Sequence, residues 1–419
     1  MHHFTYRENH LFAEDVDLTA LADEVGTPFY VYCEATLRRH LRIFADAFAG
    51  TDALIAYSVK ASSNISVLKV LASEGAGADV VSAGELHRAR AAGIAPEKIV
   101  FSGVGKTRDE LSFALDANIY QFNVESEPEL VALNEIAQAK GQRAPIALRI
   151  NPDVAAGGHE NISTGKSEDK FGVPWSRARA LYATARTMGG VEIKGVDVHI
   201  GSQIDDLAPF EAAFKKVAVL INDLRSDGCA IERLDLGGGL GIPYGEGATP
   251  PHPDAYAAMI KRVTAPLGVQ LIFEPGRMIA GNAGALIARV IYVKDGATRK
   301  FIILDAGMND LMRPALYDAY HELWPVVKSS DASEAYDVVG PICESTDRFA
   351  KARTLPGQHA GDLIAIMSAG AYGASQTSQY NSRPLIPEIL ASGERYAVIR
   401  KRPTLDEIMD GEAIADWLR

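Results

Sequence analysis

Four short apolar runs each end on a residue able to do chemistry. Tyr57-Ser58-Val59-Lys60 ends on an amine, and Val198-His199 on an imidazole. Leu236 leads into Gly237-Gly238-Gly239, and Phe273 into Glu274-Pro275-Gly276-Arg277, a carboxylate followed three residues later by a guanidinium. A lysine flanked by cations and apolar walls loses proton affinity and becomes a Schiff-base nucleophile. An imidazole can stack on an aromatic ring, and consecutive glycines let backbone amides converge on a phosphate. A carboxylate facing a pyridine nitrogen keeps it protonated, so that the ring becomes an electron sink. Taken singly, these are a solvated cap, a core histidine, a sharp turn and a local salt bridge. Together they suit a phosphorylated aldehyde, pyridoxal phosphate.

Eight apolar runs in all position such residues. The others are Gly77–Ser82, which includes Asp79, then Ile99–Gly103, Tyr120–Glu125 and Pro145–Asn151, which includes Arg149. Amphipathic stretches at Ser62–Glu74, Gly84–Ala92, Thr107–Ala117, Glu127–Lys140, Ser176–Thr187, Pro209–Ser226 and Asp254–Thr264 alternate with them. Strands alternating with helices indicate a parallel sheet. A count of eight favours a closed (β/α)8 TIM-type barrel over a doubly wound sheet, with reactive residues on the C-terminal face. Past Gly276 the helices give out, and strands are expected at Ala285–Asp295, Lys300–Asp305, Glu334–Gly340 and Asp362–Ser368. The expected domains are therefore a barrel over 28–275 and a mainly β domain over 276–419, with 1–27 packed against it. The polar, glycine-rich segment 151–174, holding Lys166, Asp169 and Lys170, reads as a long loop over the barrel mouth.

The bulk composition narrows the field. With 419 residues the chain fits two domains, and 47% hydrophobic residues with a mean hydropathy near zero are ordinary for a soluble protein. A net charge of -12 argues against nucleic acid as the main partner. Cys33, Cys229 and Cys343 form no CxxC pair, and metal-ligand spacing is absent. No signal pattern or bilayer-length apolar run is evident, so a cytoplasmic protein is expected. Gly105-Lys106-Thr107 is not a P-loop, because Val100 stands where glycine is needed. Ile242 and Tyr244 likewise spoil a dinucleotide fingerprint after Gly237. Outside the barrel, Arg313 and Tyr317 share one face if helical, and Cys343-Glu344-Ser345 lies in the β domain.

These pieces resemble the fold-type III pyridoxal-phosphate decarboxylases of the alanine-racemase-like barrel group, and within it the diaminopimelate decarboxylases. The resemblance spans nearly the whole chain. It rests on Tyr57-Ser58-Val59-Lys60-Ala61, Lys170-Phe171-Gly172-Val173, His199-Ile200-Gly201-Ser202-Gln203 and Leu236-Gly237-Gly238-Gly239-Leu240-Gly241. It continues through Glu274-Pro275-Gly276-Arg277, Met308-Asn309-Asp310-Leu311-Met312-Arg313-Pro314, Cys343-Glu344-Ser345 and Gly370-Ala371-Tyr372-Gly373. It implies Lys60 as the Schiff-base lysine, His199 on the ring and Glu274 at the pyridine nitrogen. Ser202, Gly238, Gly239, the Pro275-Gly276-Arg277 region and Tyr372 would hold the phosphate, with Asp79 and Arg149 in support. Arg277, Arg313 and Tyr317, with Tyr372 nearby, would bind the distal carboxylate of meso-diaminopimelate, and Glu344 its distal ammonium. Cys343 would supply the proton after carbon dioxide leaves.

In the family Cys343 and Glu344 come from a neighbouring subunit, which implies a homodimer with shared sites. Ornithine-type relatives carry Cys-Asp at this place, whereas this chain has Cys343-Glu344. Thr346, Ala374 and Leu385 depart from the family pattern and leave open a paralogue acting on another amino acid or a carrier-bound acyl group. A non-catalytic homologue should have lost Lys60 or Cys343, and a racemase would need a tyrosine acid opposite the lysine.

Overall fold

The computed structural model describes residues 2–154, 170–245 and 249–419. Two compact units result, Leu37–Ala280 and Met1–Thr36 with Gly281–Arg419. Lys166 and Asp169 of the expected mouth loop lie outside the described residues.

In the first unit each apolar run forms a strand. In chain order they are β1 Ala53–Ser58, β2 Gly77–Val80, β3 Ile99–Phe101 and β4 Gln121–Val124. Then come β5 Ala144–Asn151, β6 Val191–Asp197, β7 Arg233–Asp235 and β8 Gln270–Phe273. All pair in parallel, and Leu271 of β8 opposite Ala53 of β1 closes the ring. Near-continuous apolar sequence is what strands buried on both faces require. The strands stop earlier than the apolar runs do. Lys60, for instance, lies in a single 3-10 turn, Val59–Ala61, just past β1. The reactive tips therefore occupy irregular backbone beyond the ladder.

Helices enclose the ring because their apolar residues recur every three or four positions. Leu207–Ser226 buries Phe210, Ala213, Phe214, Val217, Leu220, Ile221 and Leu224 on one stripe. Polar caps end the turns leading into the helices: Asn64, Ser82, Thr107, Ser126 and Asp206 each accept from a first-turn amide. Phe48 and Phe273 pack with ring centroids 4.2 Å apart where helix meets barrel. Inside the ring, Ala56, Val100 and Ile272 form an apolar layer with Leu54 and Tyr120. Other inward positions carry Asp79, Gln121, Asn123, Asp197 and Asp235, all buried.

The second unit is mainly β, as expected. Gly284–Asp295 pairs antiparallel with Lys300–Leu304, Leu363–Ile366 and Phe29–Cys33. The hairpin Glu388–Ser392 with Arg395–Arg400 extends the sheet beside Phe29–Cys33. That placement differs from a barrel opening at residue 28. Phe29–Cys33 is buried at every position, so its text reads like a barrel strand although its partners belong to the β unit. Phe29, Val31 and Cys33 face Ala285, Ile287, Ala365, Met367, Ile389 and Ala391 in one core. The first residues, weakly patterned in sequence, form the short strands Phe4–Arg7, His10–Ala13 and Val16–Asp17.

Candidate active site

Register places the first pair. Ser58 on β1 lies opposite Asp79 on β2. The turn after β1 brings Lys60 Nζ to 2.8 Å from Asp79 Oδ2, which also accepts from Ser58 Oγ at 2.7 Å. Asp79 is fully buried, whereas the Lys60 side chain is 38% exposed. The amine therefore combines a buried counter-charge with an open approach. Asp79 Oδ1 is buried and has no hydrogen-bond partner among the described residues.

Glu274 follows β8, and its Oε1 accepts from Ser102 Oγ at 2.9 Å and Asn123 Nδ2 at 3.1 Å. The same Asn123 amide donates to Asp235 Oδ2 at 2.9 Å, and Gln121 fixes its orientation by donating to Asn123 Oδ1 at 2.8 Å. Burial, then the charges of Asp235 and Asp79, push the Glu274 carboxyl well above the usual carboxylate range, against the pull of Lys60 and Arg149. Burial, then Asp197, pushes Asp235 up to about 8. Asp197 is raised in the same way, by burial and then Glu274. Sequence reasoning missed Ser102, Asn123, Asp197 and Asp235. For the last three the signal was present: Phe122-Asn123-Val124, Val196-Asp197-Val198 and Leu234-Asp235-Leu236 each set a polar residue inside a run buried on both sides.

His199 is half-buried, and its Nδ1 accepts from the Gly238 amide at 3.1 Å. Burial and the charges of Arg149 and Lys60 hold its pKa well below the usual imidazole value, so the ring is neutral. Glycine is required beside it. A Cβ on Gly238 would stand 2.4 Å from the Glu274 carbonyl oxygen, and Gly239 has φ +102 with a would-be Cβ 2.6 Å from the Gly201 oxygen. Although the resemblance assigned the Gly238 amide to a phosphate, it donates here to His199.

Arg277 donates to Ser202 Oγ at 3.0 Å and to Tyr244 Oη at 2.5 Å; Tyr244 was not anticipated. The Pro275 carbonyl, just before Gly276, accepts from the Ser58 amide at 3.2 Å and ties the two strand tips together. Arg149, on β5, donates to Glu125 Oε1 at 3.0 Å and lies over Phe171 at 4.9 Å. Glu125 also escaped the sequence reading; it accepts from the Gly103 and Gly172 amides.

The structure thus gathers Lys60, Asp79, Arg149, His199, Ser202, Gly238, Gly239, Glu274, Pro275, Gly276 and Arg277 in the barrel unit. The remaining residues belong to the β unit. Arg313 and Tyr317 share the short helix Arg313–Tyr317. Cys343 and Glu344 are exposed; Asn381 Oδ1 accepts from the Cys343 amide at 2.9 Å, and Tyr380 Oη donates to Glu344 Oε1 at 2.5 Å. Tyr372 is half-buried on a turn with φ 55.

The barrel residues fit pyridoxal phosphate. They offer a partly exposed amine, a buried carboxylate steadied by two donors, a neutral imidazole and a turn that tolerates only glycine. Buried Asp79 Oδ1 and Arg149 Nη2, neither hydrogen-bonded among the described residues, supply polarity that the pocket itself leaves unsatisfied.

Comparison with known proteins agrees. Residues 34–281 match the family model described as pyridoxal-dependent decarboxylase, pyridoxal binding domain, which gives the class of enzyme. A diaminopimelate decarboxylase of Zymomonas mobilis is 48% identical over 419 residues, covering 99% of each chain. A solved diaminopimelate decarboxylase of Helicobacter pylori, complexed with L-lysine, superposes with a TM-score of 0.91 at 42% identity over 94% of this chain and 98% of that one. The enzyme of M. jannaschii, in co-complex with L-lysine, gives 0.95 at 36% identity over 99% of both. The chain belongs to the diaminopimelate decarboxylase family.

Proposed function

We propose that this chain converts meso-2,6-diaminopimelate to L-lysine and carbon dioxide, the last step of lysine biosynthesis. When bound, pyridoxal phosphate supplies an aldehyde carbon for the substrate amine and a conjugated ring that takes up the electron pair left by the departing carboxyl group. Lys60 would hold that aldehyde carbon, His199 the ring face and Glu274 the ring nitrogen. Ser202, Gly239, Gly276, Arg277 and Tyr372 are our candidates for the phosphate, with Asp79 and Arg149 in support.

The observation that carries this reading is the setting of Glu274. Ser102 and Asn123 steady one of its oxygens, while burial and Asp235 raise its affinity for a proton. Such a group retains a proton between itself and a ring nitrogen, which the electron sink requires. Arg277, Arg313 and Tyr317 grip the distal carboxylate, and that remote binding energy orients the scissile bond. Glu344 takes the distal ammonium. Its carboxylate reaches one methylene further than the aspartate of ornithine-type relatives would.

The Cys343 thiol delivers the proton that replaces the lost carboxyl group. Cys343 is exposed on its own chain whereas Cys33 and Cys229 are buried. An outward thiol suits delivery to a neighbouring subunit, so we assign a homodimer with shared sites. Three free cysteines accord with a cytoplasmic location. No helix among the described residues is long and apolar enough to cross a membrane.

The test is a panel of amino acids offered to the cofactor-saturated protein, with carbon dioxide release as the readout. The panel holds meso-, LL- and DD-diaminopimelate, ornithine, lysine and arginine. Release from the meso form alone is expected. Release from ornithine alone would overturn the roles given to Glu344 and the arginines.

A further inference from the structure

Arg313, only 6% exposed, places its Nη1 2.8 Å from His321 Nε2. The other ring nitrogen, Nδ1, lies 2.7 Å from the Met367 carbonyl oxygen. A carbonyl only accepts and a guanidinium only donates. The ring proton therefore sits on Nδ1, and the lone pair on Nε2 faces Arg313. The imidazole is held as one neutral tautomer.

The ring itself is well anchored. His321 is 0% exposed, and its carbonyl accepts from Arg353 Nη1 at 2.8 Å on the strand Arg348–Pro356. Met367, which follows the strand Leu363–Ile366, returns its own amide to the Glu322 carbonyl at 2.9 Å. The main chain of His321 and one nitrogen of its ring are thus tied to the sheet, and the ring's orientation passes to the guanidinium. The chemical type of this partner matters. A carboxylate would hold an arginine as firmly but would cancel its charge. An imidazole in this tautomer orients the guanidinium without itself offsetting the charge.

We propose that His321 is a positioning residue that aims the Arg313 guanidinium at the distal carboxylate of the substrate without itself offsetting the guanidinium charge. This rests on the role given above to Arg313. The decarboxylation product provides a direct probe. L-lysine keeps the distal carboxylate, whereas 1,5-diaminopentane has the same two amines without it, so the pair reports the carboxylate grip without any chemistry.

Both compounds are titrated as competitive inhibitors of the holoenzyme and its variants. His321→Leu should weaken L-lysine, and raise KM for meso-diaminopimelate, by about tenfold, the scale of one hydrogen bond to a charged group. It should leave 1,5-diaminopentane within about twofold, below the scale of even a neutral hydrogen bond. His321→Gln should restore L-lysine, because its amide oxygen accepts from Arg313 while its NH2 reaches Met367. His321→Glu should stay weak for L-lysine, since it holds the guanidinium but neutralises it.

Equal L-lysine affinities for the Gln and Glu variants would overturn the proposal, even if the Leu variant fails to fold. Parallel weakening of both inhibitors in His321→Leu would also overturn it, by marking the effect as structural. Arg313→Met separates the two levels. If it leaves L-lysine unaffected, the reading of Arg313 fails; if it weakens L-lysine while His321→Leu does not, only the role of His321 fails.

Discussion

Asn123 divides the hydrogens of one amide between two buried carboxyls, Glu274 and Asp235, and its bond pulls Asp235 toward the charged form while burial pulls harder the other way. Asp235 is pushed up to about 8 by burial and by Asp197. In the unfolded chain an aspartate titrates near about 4. Between these values the native protein holds a proton that the unfolded chain has released. The stability contributed by this group is therefore complete below about pH 4 and is lost as pH rises through about 8. Asp235→Asn keeps a neutral side chain at every pH. Its melting temperature relative to the native protein should therefore climb from about pH 5 to about pH 9. A difference that stays flat across that range would mean Asp235 is already ionised in the folded state. The same residue shows how far sequence reading reaches. Lys60 and Glu274 were legible because each follows an apolar run. Asp235 stood out only as a polar residue inside an apolar run, because its role depends on Asn123 and Glu274, which come from elsewhere in the barrel.

The elements hold these groups through their ends. The helix Arg108–Asp116 begins with a reciprocal cap: Thr107 Oγ1 accepts from the Glu110 amide at 3.3 Å, and Glu110 Oε2 accepts from the Thr107 amide at 3.0 Å. Glu110 Oε1 also accepts from the Ala83 amide at 3.0 Å, at the start of the preceding helix. One carboxylate thus stabilises two adjacent helix starts. Thr107→Ala should cost about 1 kcal/mol of stability in chemical denaturation and leave kcat unchanged. A drop in kcat without loss of stability would show that this turn serves the site rather than the helix. Element boundaries were less legible than element types. Phe29–Cys33 carries no period-two alternation, because a strand buried on both faces looks alike in a barrel and in a sheet. Arg313 and Tyr317, four residues apart, were expected on one helical face, and the short helix places them there.

At the scale of the whole molecule the proposed dimer has a sharp consequence. If each site takes Lys60 from one subunit and Cys343 from the other, Lys60→Ala and Cys343→Ala homodimers are each defective. Mixing them under conditions that exchange subunits creates hybrids with one intact site. Two-fold symmetry sets the recovery at about a quarter of native activity when exchange is random and complete. No recovery after verified exchange would mean that both residues serve the same subunit's site. The acidic net charge of -12 does not conflict with an anionic substrate, because a few placed arginines, not the global balance, set the field at the site.

Read alone, the chain settled the order of strands and helices and set Lys60, His199 and Glu274 as candidates just beyond strand ends. Those features depend on periodicity and on neighbours a few positions apart. It could not say that Asn123 bridges Asp235 and Glu274, partners 112 and 151 residues away, or that Gly238 gives its amide to His199. Nor could it pair His321 with Arg313, since no repeat or motif links them. Closing the barrel and folding the sheet brought these groups within about 3 Å of one another. At that distance burial and hydrogen bonding, rather than residue type, determine which group carries the proton.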